Sequence, residues 1–103
     1  MRIKLRGKYY SLNMLSKADM KTETQKSCAC LKDSDIPKGL CDAPNKEEKK
    51  ISIRKRQSLK SEFETILHES LHACNWEWDE CAVDETAHDI SKLLFKFYSI
   101  ERK

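Results

Sequence analysis

The decisive stretch is Ser58-Leu59-Lys60-Ser61-Glu62-Phe63-Glu64-Thr65-Ile66-Leu67-His68-Glu69-Ser70-Leu71-His72-Ala73-Cys74. Leu59, Phe63, Ile66, Leu67 and Ser70 recur at helical spacing, and Ser58 is a capping residue type, so the pattern predicts a helix over 58–74. On that helix His68, Glu69 and His72 spell H-E-x-x-H. Residues four apart lie about 40° apart around a helix, so both imidazoles reach one metal ion. Zinc accepts such nitrogens in a tetrahedral site that keeps one position for water. Glu69 stands about 100° from His68, placed to take a proton from that water rather than to bind the metal. The metal lowers the water's pKa towards ~7 and the carboxylate completes its activation. A match to this pattern arises by chance in roughly one chain in a hundred. The apolar stripe of Leu59, Phe63 and Ile66 centres nearly opposite the histidines, which sets them apart from ordinary core residues. The expectation is one zinc per chain, with His68 and His72 as ligands and Glu69 as catalytic base.

Downstream, Asn75 to Asp79 carries Trp76 and Trp78 and breaks the helix. A second helix is expected from Glu80, with Val83, Ala87, Ile90, Leu94 and Phe97 as its apolar stripe. Asp79 and Glu80 suit its start, and Arg102 and Lys103 its end. The third metal ligand has several candidates here: Glu77, Asp79, Glu80, Asp84, Glu85, His88 and Asp89. Glu85 and Asp89 share a face away from the stripe's centre, as the histidines do on the first helix. A helix hairpin closed through the 75–79 turn brings those two faces together. Glu85 is then the favoured ligand, and Asp89 the carboxylate that holds a ligand imidazole. The alternative is that both are an exposed acidic ridge.

Upstream, residues 2–10 alternate loosely and read as strand, with Gly7 as a turn. Residues 11–35 are polar and give no firm period, so loop is expected there with at most a short helical turn. Ile36 to Asp42 reads as a short strand bounded by Pro37 and Pro44, and Lys50-Ile51-Ser52-Ile53-Arg54 as a clean alternating one. The expected fold is α+β: a small antiparallel sheet packed on the H-E-x-x-H helix, with a C-terminal helix behind it, in one domain spanning 1–103.

The 103 residues are 39 % hydrophobic and 36 % charged, with only two glycines and two prolines, which excludes collagen-like and low-complexity sequence. No apolar run approaches the ~18 residues of a membrane helix. Met1 to Arg6 lacks the apolar stretch of a signal peptide, so a soluble, cytoplasmic protein with no membrane partner is expected. The five cysteines are odd in number and lack a Cys-x-x-Cys, which argues against a disulfide scaffold. Cys28-Ala29-Cys30 with Cys41 is at most a partial zinc site. Residues 1–60 carry 16 Lys/Arg against 7 Asp/Glu, and residues 61–103 carry 4 against 10. Such asymmetry suggests nucleic-acid contact or simply two mutually attracting halves.

The stretch from Thr65 to Phe97 resembles small phage-encoded metallopeptidases, short zincins that combine an N-terminal strand, a G-x-C-D-type segment, an I-x-I strand, and H-E-x-x-H-A followed by an acidic helix. The matching pieces are Gly39-Leu40-Cys41-Asp42, Ile51-Ser52-Ile53, His68 to Ala73, and Val83-Asp84-Glu85-Thr86-Ala87-His88-Asp89-Ile90. The resemblance implies a bacteriophage protein working in the host cytoplasm. More remotely, Glu85-Thr86-Ala87-His88-Asp89 is similar to the E-x-x-x-D of thermolysin-type gluzincins, whose Glu binds zinc and whose Asp bonds a zinc-bound His. H-E-x-x-H-A alone is also similar to SprT-like, DNA-associated metalloproteases.

The function so implied is zinc-dependent hydrolysis of a peptide or protein substrate. Ile51, Ser52, Ile53 and Arg54 are the expected edge strand that holds a peptide by β-addition. Trp76 and Trp78, in the turn beside the expected metal, are expected to form a substrate pocket, to stack on a base, or to pack so as to close the helix hairpin. The alternative is a single-stranded DNA-binding protein with a structural or vestigial zinc site, using Lys49, Lys50, Arg54, Lys55 and Arg56 on phosphates.

Overall fold

The computed structural model describes residues 1–25 and 36–98. Strands β1 (Arg2–Leu5) and β2 (Lys8–Leu15) form an antiparallel hairpin. Its turn puts Arg6 at φ 48° and Gly7 at φ 79°. Two successive positive-φ residues match the twist of the flanking strands, and glycine takes the conformation at no steric cost. Helix α1 (Lys17–Gln25) follows, capped by Ser16, whose Oγ accepts from the Asp19 N–H at 3.1 Å. Strands β3 (Gly39–Cys41) and β4 (Lys50–Arg54) pair antiparallel, and helices α2 (Leu59–Cys74) and α3 (Glu80–Tyr98) complete the chain.

The architecture is α+β, with a four-stranded sheet in the order β1-β2-β4-β3. The sheet is mixed rather than antiparallel throughout, because β2 and β4 run parallel, with Leu12 opposite Ile51 and Met14 opposite Ile53. Parallel neighbours need a crossover connection, and α1 lies within it. That helix falls where the polar sequence predicts loop; Met20, fully buried, is its only buried residue among those described. The consequence for the site is that β4 is internal and β3 forms the sheet edge.

One face of the sheet packs on α2. Tyr10, Ile51, Ile53 and Ala73 form the buried centre, with Ile3, Leu5, Leu12, Cys41 and Ile66 around them. Tyr10 Oη donates to the Ala73 carbonyl at 3.4 Å, tying β2 to the end of α2. Ser58 caps α2 as expected, accepting from the Ser61 N–H at 3.1 Å. Gln57 fastens the helix to the sheet: its Nε2 donates to the Arg54 carbonyl at 2.8 Å, and its Oε1 accepts from the Ser61 and Thr65 hydroxyls.

Helix α2 lies between the sheet and α3, so it needs two buried faces, and a single apolar stripe describes neither. Leu59 is exposed, Phe63 meets Phe95 of α3 edge-on at 5.1 Å, and Ile66 joins the sheet core. The most buried line of α2 is Thr65, Glu69 and Ala73. On α3 the buried line is Val83, Ala87, Ser91 and Phe95, leaving the expected core residue Phe97 74 % exposed. Cys28, Cys30, Arg102 and Lys103 lie outside the described residues. No helix among the described residues is long and apolar enough to cross a membrane.

Candidate metal centre

Helices α2 and α3 form an antiparallel hairpin, and its register builds the site. The turn closes with the Trp78 N–H donating to the Asn75 carbonyl at 3.0 Å, and Asp79 caps α3 by accepting from the Ala82 N–H at 2.8 Å. Each step of four back along α2 then meets a step of four forward along α3. His72 faces Glu80, His68 faces both Glu80 and Asp84, and Glu64 faces His88.

The three inner groups converge. His68 Nε2 and His72 Nε2 are 3.1 Å apart. Glu80 Oε1 lies 2.8 Å from His68 Nε2, and its Oε2 lies 2.9 Å from His72 Nε2. Nitrogen and oxygen ligands of one tetrahedral zinc stand about 3.3 Å apart, given metal–ligand bonds near 2.0–2.2 Å. The group fits that spacing after a small outward relaxation. His68, His72 and Glu80 could hold a metal ion. Two imidazoles and a carboxylate are the ligand set of several hydrolytic metal sites, and three protein ligands leave a fourth position free.

The carboxylate that the structure brings to the two imidazoles is therefore Glu80, not the Glu85 favoured from sequence. Glu85 lies outside the converging group. Five residues turn a helix by about 140° relative to Glu80, which carries Glu85 off the face that meets α2. The carboxylate placed near a histidine ring is likewise Asp84 rather than Asp89: its Oδ1 lies 3.5 Å from His68 Nδ1. Glu80-Cys81-Ala82-Val83-Asp84 has the E-x-x-x-D spacing one and a half turns before the pair favoured from sequence. His88 sits further out, with Nδ1 2.7 Å from Glu64 Oε1.

Glu69 occupies a different position. It belongs to the buried line of α2, only 7 % exposed, and is not one of the converging ligands. Burial pushes its carboxyl up to about 7, a rise opposed by His68 and reinforced by Glu80. Directly above it runs β3. A methyl group on Gly39 would meet Thr65 Cγ2 at 2.7 Å and Glu69 Cγ at 2.8 Å, so only glycine lets the strand lie this close.

A cleft of about 480 Å³ opens over these groups, bordered by Gly39, Leu40, Cys41, His68, Glu69, His72, Trp76, Trp78 and Glu80. A second hollow continues it past His68 to Lys38, Glu64 and Asp84. Trp76 reaches the cleft as anticipated, its ring 6.3 Å from that of His72. Trp78 joins it. The strand at the cleft is β3, not β4. Ile51, Ser52 and Ile53 are buried inside the sheet, and the Arg54 guanidinium donates to the Ile36 carbonyl at 3.2 Å. Cys41 also borders the cleft. Burial, with Glu69, Asp42 and Cys74 nearby, pushes its thiol up to about 12.

No protein-family model, curated protein or solved structure matches the chain.

Proposed function

We propose that the protein is a zinc-dependent peptidase of minimal zincin type, with His68, His72 and Glu80 as ligands and Glu69 as general base. The observation that carries this reading is the position of Glu69, a buried carboxylate at the floor of a cleft, next to the ligand group but outside it. A metal site that only fastens two helices together has no use for such a group.

A zinc ion held by His68, His72 and Glu80 would supply Lewis acidity that makes a water easier to deprotonate. Glu69 accepts a proton as the water oxygen attacks the peptide carbonyl, and delivers it to the nitrogen as the C–N bond breaks. Asp84, whose Oδ1 lies 3.5 Å from His68 Nδ1, would orient that imidazole towards a bound ion. The substrate is held by β3. In its pairing with β4, Lys38 and Asp42 exchange hydrogen bonds with Arg54 and Lys50. Antiparallel alternation then turns the N–H and C=O groups of Gly39 and Cys41 to the open edge, where an extended peptide can pair. Trp76 and Trp78 border the path at one end.

The test is cleavage of an unstructured protein by the zinc-loaded chain, measured beside zinc content in wild type and in Glu69→Gln.

A further inference from the structure

The basic residues 49–56 do not form one surface. Lys50, at the start of β4, pairs with Glu23 at 3.7 Å. Arg54, Lys55 and Arg56 lie at the other end, where parallel β2 and β4 bring their carboxyl ends side by side. The Lys55 N–H donates to the Leu15 carbonyl at 2.7 Å, joining the two ends. Around them is a concavity of about 600 Å³ lined by Ser16, Lys17, Ala18, Arg54, Lys55 and Arg56. Among the described residues its charged lining is all cationic, drawn from two distant segments of the chain.

Some basic groups of the chain have partners elsewhere. Lys46 pairs with Asp42, Lys50 with Glu23, and Arg2 and Lys4 cover the Tyr9 ring. Among the described residues, no carboxylate pairs with Lys17, Arg54, Lys55 or Arg56. Like charges gathered in a concavity repel, and a bound anion offsets that repulsion. Guanidinium groups offer the forked donors that match phosphate oxygens, with lysines adding point charges. The volume suits a small organic ligand rather than a bare ion. The carboxyl ends of parallel strands are also where open α/β sheets receive ligands.

We propose that this concavity binds the phosphate of a nucleotide, free or within a single strand of nucleic acid. Among the described residues it shares no lining with the cleft at His68 and His72, and it stands whether or not the peptidase reading does.

The test is fluorescence anisotropy of a labelled oligothymidylate with the full chain, with 5′-AMP and inorganic phosphate as competitors. Saturable binding is expected that weakens as salt is raised. Lys55→Gln combined with Arg56→Gly should weaken it at least tenfold; glycine keeps the backbone at the Arg56 φ of 63° accessible while removing the charge. Arg2→Gln with Lys4→Gln removes equal charge elsewhere and should change binding less than twofold. Competition by 5′-AMP at concentrations near its own occupancy assigns a free nucleotide; displacement only by unlabelled oligonucleotide assigns a strand. The proposal is overturned if nothing binds saturably at low salt, if the Arg2/Lys4 pair loses as much as the Lys55/Arg56 pair, or if inorganic phosphate competes as well as 5′-AMP. Circular dichroism of each variant separates these losses from misfolding.

Discussion

Gly39 and Glu69 are in such close register that a methyl group on the glycine would sit 2.8 Å from Glu69 Cγ and 3.0 Å from its Oε2. An edge strand is thereby pressed onto the helix turn that carries the proposed base. One contact links the sheet order, the cleft and the chemistry.

Gly39→Ala should therefore do more than a surface substitution. Backbone and a packed helix give way poorly, and overpacking of this kind costs about 1–3 kcal/mol. Thermal melting should show a drop of several degrees. Zinc content should stay near wild type, because His68, His72 and Glu80 lie on the other two elements. An unchanged melting temperature would show that β3 is not held against Glu69.

Glu80→Gln and Glu85→Gln separate the two candidate third ligands. Glu80 touches both imidazoles, whereas Glu85 lies outside the converging group. Competition with a chromophoric chelator should show zinc affinity reduced at least tenfold for Glu80→Gln and within twofold of wild type for Glu85→Gln. Asp84→Asn should also weaken zinc binding, by about 10–100-fold, the range seen when a group orienting a ligand is lost.

The two helices were legible because their signals are local. Ser58, the H-E-x-x-H spacing, the 75–79 break and Glu80 place α2 and α3 close to their observed bounds. The sheet was not legible in the same way. Its order depends on α1, whose single fully buried side chain, Met20, leaves no apolar period in a polar stretch. With α1 unread, β4 looked like an edge, and β3 was too short to compete for that place. The sequence offers Glu80 as one candidate ligand but does not favour it, for a related reason. Glu80 reads as a favourable charge at a helix start, and only the hairpin register shows that it also faces His68 and His72. Counting symmetrically outward from the 75–79 turn is the signal that finds it.

Metal removal should loosen the hairpin. The ligands come from both α2 and α3, so binding energy to the folded site is folding energy. A strong chelator should lower the melting temperature, and added zinc should restore it. At a hundredfold excess over its dissociation constant the ion contributes about 2.7 kcal/mol. Melting unaffected by chelator would remove any structural role for the metal.

Cysteine chemistry gives an independent check on the cleft. Cys81 is exposed, whereas Cys41 is half-buried with its thiol raised to about 12. The thiolate is the reactive form, and at pH 8 very little of Cys41 carries it. Timed alkylation followed by peptide mapping should label Cys81 well before Cys41. Raising the pH to 9 should narrow the gap only slightly, since Cys41 stays protonated there.

The central claim is that Glu69 performs chemistry while His68, His72 and Glu80 hold the ion. Glu69→Gln keeps the size and polarity of the side chain and removes only its basicity. The direct measurement is zinc content and cleavage of an unstructured protein on the same preparations of wild type and Glu69→Gln. The account predicts one zinc per chain in both, with cleavage reduced by about 10²-fold or more in the variant. Cleavage by Glu69→Gln at the wild-type rate, or no cleavage by the zinc-loaded wild type, would contradict it.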